Sequence, residues 1–141
     1  MIFECLLGQE WNSYAQGDNT MKYKNIFNSS KVTLVQKDHP EYDYKSVTVF
    51  QIFKKISSNT GNEKWSNKSL SVLKGEKHCH KENNVTEKKS DEEDKKQLWR
   101  RNKSKSTFFF TNLQSGKVLT VLPDGTFITL CQSQFVSNDV I

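Results

Sequence analysis

The stretch Phe110-Thr111-Asn112-Leu113-Gln114-Ser115-Gly116-Lys117-Val118-Leu119-Thr120-Val121 places a polar turn between two apolar runs. Asn, Ser and Gly are residues that close turns, and the Val-Leu-Thr-Val that follows is short and rich in β-formers. Immediately beyond, Leu122-Pro123-Asp124-Gly125-Thr126-Phe127 predicts a hairpin, because Gly accepts the positive φ that such turns need. The same kind of segment recurs along the chain, at Lys31 to Val35, Ser46 to Phe53, Ser69 to Leu73, Lys117 to Leu122 and Thr126 to Cys131. Many short strands without helical periodicity predict an all-β sandwich or barrel.

Internal repetition decides between the two. The pattern Ser-x-Lys-x-x-x-Val occurs from Ser29 to Val35, from Ser66 to Val72 and from Ser115 to Val121. A second pattern, Gln-x-aromatic, occurs as Gln9-Glu10-Trp11, Gln51-Ile52-Phe53 and Gln97-Leu98-Trp99. The two patterns alternate strictly in order, and both recur at intervals of about forty residues, which is one supersecondary unit used three times.

These motifs resemble the ricin-type (ricin B-like) lectin repeat, in which Ser-Gly-Lys precedes a Leu-x-Val strand and Gln-x-Trp closes the unit. Cys5 and Cys131, each a few residues before a Gln, are similar to the family's cysteine placement. The resemblance implies an all-β fold, a β-trefoil with pseudo-three-fold internal repeats. It implies one domain over 1–141, with units at about 12–53, 54–99 and 100–141. Residues 1–11 are then either a closing strand or the end of a preceding unit. In such a fold Trp11, Phe53, Trp99, Val35, Val72 and Val121 fill the core, and the Gln amides satisfy neighbouring backbone.

The resemblance also implies sugar binding, by an Asp after Ser-Gly-Lys, an aromatic platform and a polar residue beside the Gln. This chain departs from that pattern, with Leu34, Ser71 and Thr120 at the Asp position. Substitutes lie in the loop Asp38-His39-Pro40-Glu41-Tyr42-Asp43-Tyr44 and at the turn residue Asp124. Asp38, Tyr42, Tyr44 and Asp124 are therefore the candidate ligand residues, since carboxylates grip hydroxyls and rings cover the apolar sugar face. The expected partner is a glycan or glycoprotein. The rival reading is a protein-binding trefoil without sugar sites, or an accessory domain of a larger enzyme or toxin.

Composition narrows the remaining classes. Hydrophobic residues make up 34% and charged residues 26%, so the 9 Phe, 4 Tyr and 3 Trp must carry much of the burial. The charged stretch 81–96 has one Val and no ring, and reads as a solvated loop insertion replaceable by a flexible linker. The basic run Trp99 to Lys105 lacks a recognisable nucleic-acid motif, and the acidic residues before it offset its field. His78-Cys79-His80 puts soft ligands in a row, but adjacent residues of an extended chain point to opposite faces, so no metal or other cofactor is expected. No nucleophile elbow, zincin motif or phosphate loop occurs, and catalysis is not expected. Three cysteines, Cys5, Cys79 and Cys131, argue against a disulfide framework but leave one pair open. No signal peptide or membrane span is visible, and the compartment stays open.

Overall fold

A computed structural model describes residues 8–17, 20–38, 48–56, 64–74 and 83–132. Eleven strands follow one another among these residues: β1 (Trp11–Gly17), β2 (Thr20–Asn25), β3 (Lys31–Lys37), β4 (Val49–Ile56), β5 (Lys64–Trp65), β6 (Lys68–Val72), β7 (Asn83–Lys89), β8 (Trp99–Ser104), β9 (Thr107–Asn112), β10 (Val118–Val121) and β11 (Phe127–Leu130). A 3-10 turn, Lys95–Gln97, lies between β7 and β8, and the Asp94 side chain caps it by accepting from the Lys96 amide. No helix in this part of the chain is long and apolar enough to cross a membrane.

Six strands close into an antiparallel barrel. Pairing runs from β1 through β2, β3, β4, β8 and β9, and the ring shuts where Trp11 of β1 lies opposite Phe108 of β9. Closure removes the open sheet edges that would otherwise invite association. The remaining strands lie against this ring: β10 pairs β9, β11 bridges β10 and β7, and β6 completes the path beyond β7.

The core sits where barrel and hairpins meet. Trp11, Tyr23, Val32, Leu34, Phe50, Ile52, Trp99 and Phe110 enter from the barrel, while Leu70, Val72, Leu119, Val121 and Phe127 enter from the hairpins. Rings do much of the filling, as the lean aliphatic content requires. Trp11 packs on Phe110 at 5.5 Å and on Phe127 at 6.2 Å, and Tyr23 meets Phe108 and Phe110 edge-on. Arg101 lies over Phe50 and Phe108 and donates to the Tyr23 hydroxyl at 2.7 Å, so its charge rests on ring faces.

The turns before β3 and β10 are built alike. Asn25 and Asn112 each accept two backbone amides on Oδ1, from Phe27 and Asn28 in one case and Gln114 and Ser115 in the other. Each donates Nδ2 to a carbonyl at 2.9 Å, that of Gly8 or Lys96. Each turn then passes through a positive φ, 66° at Ser29 and 73° at Gly116. The two Asn residues pair across their hairpins with Trp11 and Trp99 respectively. A bulge between Ser13 and Ala15 in β1 has no counterpart in the register of β8 and β9.

A shorter part of this turn occurs three times. The amides of Ser30, Lys68 and Lys117 are bound by the side chains of Asn28, Ser66 and Ser115, each two residues earlier. Four and six residues after each of those capping side chains come the inward pairs Val32 and Leu34, Leu70 and Val72, and Leu119 and Val121.

That register corrects the sequence reading of the first unit. Asn28, not Ser29, is the counterpart of Ser66 and Ser115, and a one-residue shift moves a strand's side chains to the other face. Leu34 therefore takes the core position expected of Val35, which is half-buried opposite Gln51. Phe53 is likewise half-buried opposite Thr33, while Phe50 and Ile52 of the same strand point inward. Trp11, Trp99, Val72 and Val121 lie in the buried cluster.

A second correction concerns the charged stretch expected as an inserted loop over 81–96. Residues Asn83–Lys89 form β7, paired with β6 over five positions from Lys68↔Lys89 to Val72↔Val85, and with β11 at Asn83 and Asn84. Backbone pairing does not depend on side-chain polarity. β7 sends Val85 against the core and leaves Glu87, Lys88 and Lys89 in water.

Candidate functional site

The buried glutamines are structural. Gln9 donates to the Cys131 carbonyl at 3.0 Å and Gln97 to the Lys89 carbonyl at 3.0 Å, so each ties the start of a barrel strand to the end of a hairpin strand. Gln51 donates to Gln97 at 3.3 Å and accepts from Ser90 at 2.6 Å. Cys131, where Gln9 is anchored, is disulfide-bonded.

The positions that the ricin-type resemblance assigns to the sugar-gripping Asp are interior. Leu34, Ser71 and Thr120 are all 0% exposed. The Ser71 hydroxyl donates to the Val72 carbonyl, and that of Thr120 to the Val118 carbonyl. No ligand reaches them without opening the core.

A surface site forms elsewhere, from three pieces of chain. The Asn25 turn presents Ser29 and Ser30. The adjoining ends of β3 and β4 present Lys31, Lys54, Lys55 and Ile56. The β10–β11 hairpin contributes Gly125 and Phe127. Together they line an open groove of about 510 Å³. The hairpin is held by Leu122 N–H to Thr126 O and Gly125 N–H to Leu122 O, both 2.8 Å, with Gly125 at a φ of 90°. That conformation suits glycine, which has no Cβ to clash. Lys54 Nζ stands 4.8 Å above the Phe127 ring, and Lys31 Nζ 4.9 Å above the Tyr14 ring.

Asp124 sits in this hairpin next to Gly125, exposed. Its carboxylate accepts the Thr126 amide at 2.9 Å. That bond, with a second from the Thr126 side chain, holds its pKa below the ordinary 3.8. Asp38 is exposed just past the far end of β3, on the order of 20 Å from Lys31 at the usual strand rise. The structure thus sets Asp124 beside the groove and Asp38 well away from it. Tyr42 and Tyr44 lie outside the described residues.

The groove lysines were not singled out by sequence reasoning, because Lys31 and Lys54-Lys55 are far apart in the chain. The available signal was the Lys54-Lys55 pair at the end of an apolar strand, where the chain passes from core residues to charged ones. A second hollow, lined by Lys88, Lys89, Ser90, Asp91, Asp94 and Gln97, has its polar groups engaged internally. Gln97 binds the Asp91 amide and the Asp94 carboxylate, and Ser90 binds Gln51. Among the described residues no group of three His, Cys, Asp or Glu could hold a metal ion. His39, His78, Cys79 and His80 lie outside them.

The described residues thus form an all-β protein with a closed six-stranded barrel and a lysine-lined surface groove. No protein-family model, curated protein or solved structure matches the chain.

Proposed function

We propose that this chain is a lectin-like carbohydrate-binding domain of the ricin B-like, β-trefoil type, which takes a glycan or glycoprotein as partner and performs no catalysis. The observation that carries this reading is the capped turn at Asn28, Ser66 and Ser115, each followed at the same spacing by an inward pair of apolar residues. A trefoil calls for such a repeat, and the six-stranded barrel beneath it agrees. The sugar is held on the groove beside the Asp124 hairpin, since Leu34, Ser71 and Thr120 are interior. The serine hydroxyls and lysine ammonium groups there are donors suited to sugar oxygens, and exposed Ile56 supplies an apolar wall.

The burial of Leu34, Ser71 and Thr120 also favours a second reading, a trefoil that binds protein and has no sugar site. A glycan array probed with the labelled chain separates the two. The lectin reading expects a set of related glycans to be retained; a blank array rejects it and leaves protein interaction.

A further inference from the structure

We propose that Asn67 and Asn84 are N-glycan acceptor sites, and that Asn28 and Asn102, which carry the same tripeptide signal, are not. The proposal goes beyond the carbohydrate-binding reading: it concerns a sugar the chain carries, not one it binds.

Four Asn-x-Ser/Thr tripeptides occur, at Asn28, Asn67, Asn84 and Asn102, none with Pro in the middle. Such tripeptides also arise by chance in a chain rich in Asn and Ser, so the letters alone decide nothing. Two structural observations do. Cys131 is disulfide-bonded. Disulfides persist in oxidising compartments and are rare in the cytosol, and the secretory compartment that forms them is also where N-glycans are transferred.

The second observation is where the fold puts each amide. Asn67, in the bend just before β6, and Asn84, in β7, are exposed. Asn28 and Asn102 are half-buried. Their Oδ1 atoms accept the Ser30 amide and the Thr111 hydroxyl, both at 3.0 Å. A glycan on Nδ2 needs open solvent for its first rings, and only the exposed pair offers it. Those two stand at opposite ends of one hairpin. Asn67 lies one step before the Lys68↔Lys89 pair and Asn84 one step beyond Val72↔Val85. At the usual strand rise they are on the order of 20 Å apart, so two glycans there do not crowd each other.

The transferring enzyme reads the hydroxyl two residues after the Asn. Ser69 is 0% exposed in the fold, so transfer to Asn67 precedes the closing of β6. The Asn Nδ2 attacks the anomeric carbon of an oligosaccharide carried on a lipid pyrophosphate. The C–N bond forms, the C–O bond to the pyrophosphate breaks, the lipid pyrophosphate leaves with the electron pair, and the amide proton passes to a base of the enzyme.

The test is peptide mapping by mass spectrometry of the chain isolated from its own source, after peptide N-glycosidase treatment in heavy-oxygen water. Each glycosylated Asn becomes a heavy-labelled Asp. Label is expected at Asn67 and Asn84, with Asn28 and Asn102 unlabelled. An unlabelled Asn67 or Asn84, or label at Asn28 or Asn102, overturns the proposal. A Cys131 thiol open to alkylation without reduction overturns the compartment on which it rests. In chain secreted from cultured animal cells, Asn67→Gln and Thr86→Ala should each remove one glycan step on a gel, and a variant running as the parent overturns its site. None of these outcomes depends on whether the glycan array is blank, so this proposal and the carbohydrate-binding reading fail separately.

Discussion

Truncating either turn asparagine to alanine should cost nearly the same stability, although Asn25 and Asn112 are distant in sequence. Each side chain is buried, at 1% and 0% exposure, and each makes three hydrogen bonds. A net bond contributes about 1 kcal/mol, and a buried group left without its partner costs about 1–3 kcal/mol. Asn112→Ala takes their partner from the amides of Gln114 and Ser115 and from the carbonyl of Lys96; Asn25→Ala does so for the amides of Phe27 and Asn28, while the Gly8 carbonyl keeps the Val121 amide. Each loss is then about 2–4 kcal/mol, a large share of the roughly 5–15 kcal/mol of a typical domain. Urea unfolding followed by tryptophan fluorescence gives the number, with the slope unchanged if only stability moves. A loss under about 1 kcal/mol for either variant would refute the hydrogen-bond accounting. Losses differing by more than about 2 kcal/mol would refute the equivalence of the two turns.

The two core tryptophans should separate in the opposite way. Trp99 Nε1 donates to the Leu70 carbonyl at 3.1 Å, whereas Trp11 Nε1 is buried with no hydrogen-bond partner among the described residues. Trp99→Phe should therefore cost about 1–2 kcal/mol more than Trp11→Phe in the same unfolding assay; equal costs would contradict it. Replacing residues 83–96 with a Gly-Ser linker should lower stability by more than about 3 kcal/mol, because β7 carries backbone pairs to β6 and β11; an unchanged melting temperature would mean those pairs do not form. The Asp124 carboxyl should titrate below ordinary aspartate by NMR, and Thr126→Ala should raise its pKa. Its stabilising effect is complete above the ordinary carboxylate pKa and fades as pH falls through the lowered one; the alanine keeps the backbone amide, so a Thr126→Ala variant with the same titration would refute the side-chain part of the effect.

How much was legible in the sequence follows from what each signal measures. Alternation and turn residues around Ser115 to Val121 report local geometry, and the strands there fall where expected. The spacing of Ser-x-Lys correctly aligned Ser66 with Ser115, but in the first unit Asn28 does the capping work. An asparagine amide can bind the amide two residues on as a serine hydroxyl does, so the letter pattern slipped by one and misplaced Val35. β7 was hidden for a different reason. Its strand character comes from partners at Lys68–Val72 and Phe127–Leu130, and no local composition reports that. The groove was hidden likewise, since Ser29, Lys54 and Gly125 meet only once the barrel closes.

The most direct test of the central claim is a two-dimensional amide NMR titration of the labelled chain with a glycan it retains. Carbohydrate binding at the groove predicts that the amides of Ser29, Ser30, Lys55 and Gly125 shift together and saturate with one affinity. Shifts centred on Asp38, or on the hollow from Lys88 to Gln97, would place the ligand elsewhere. No shifts with any glycan would contradict the carbohydrate-binding account itself.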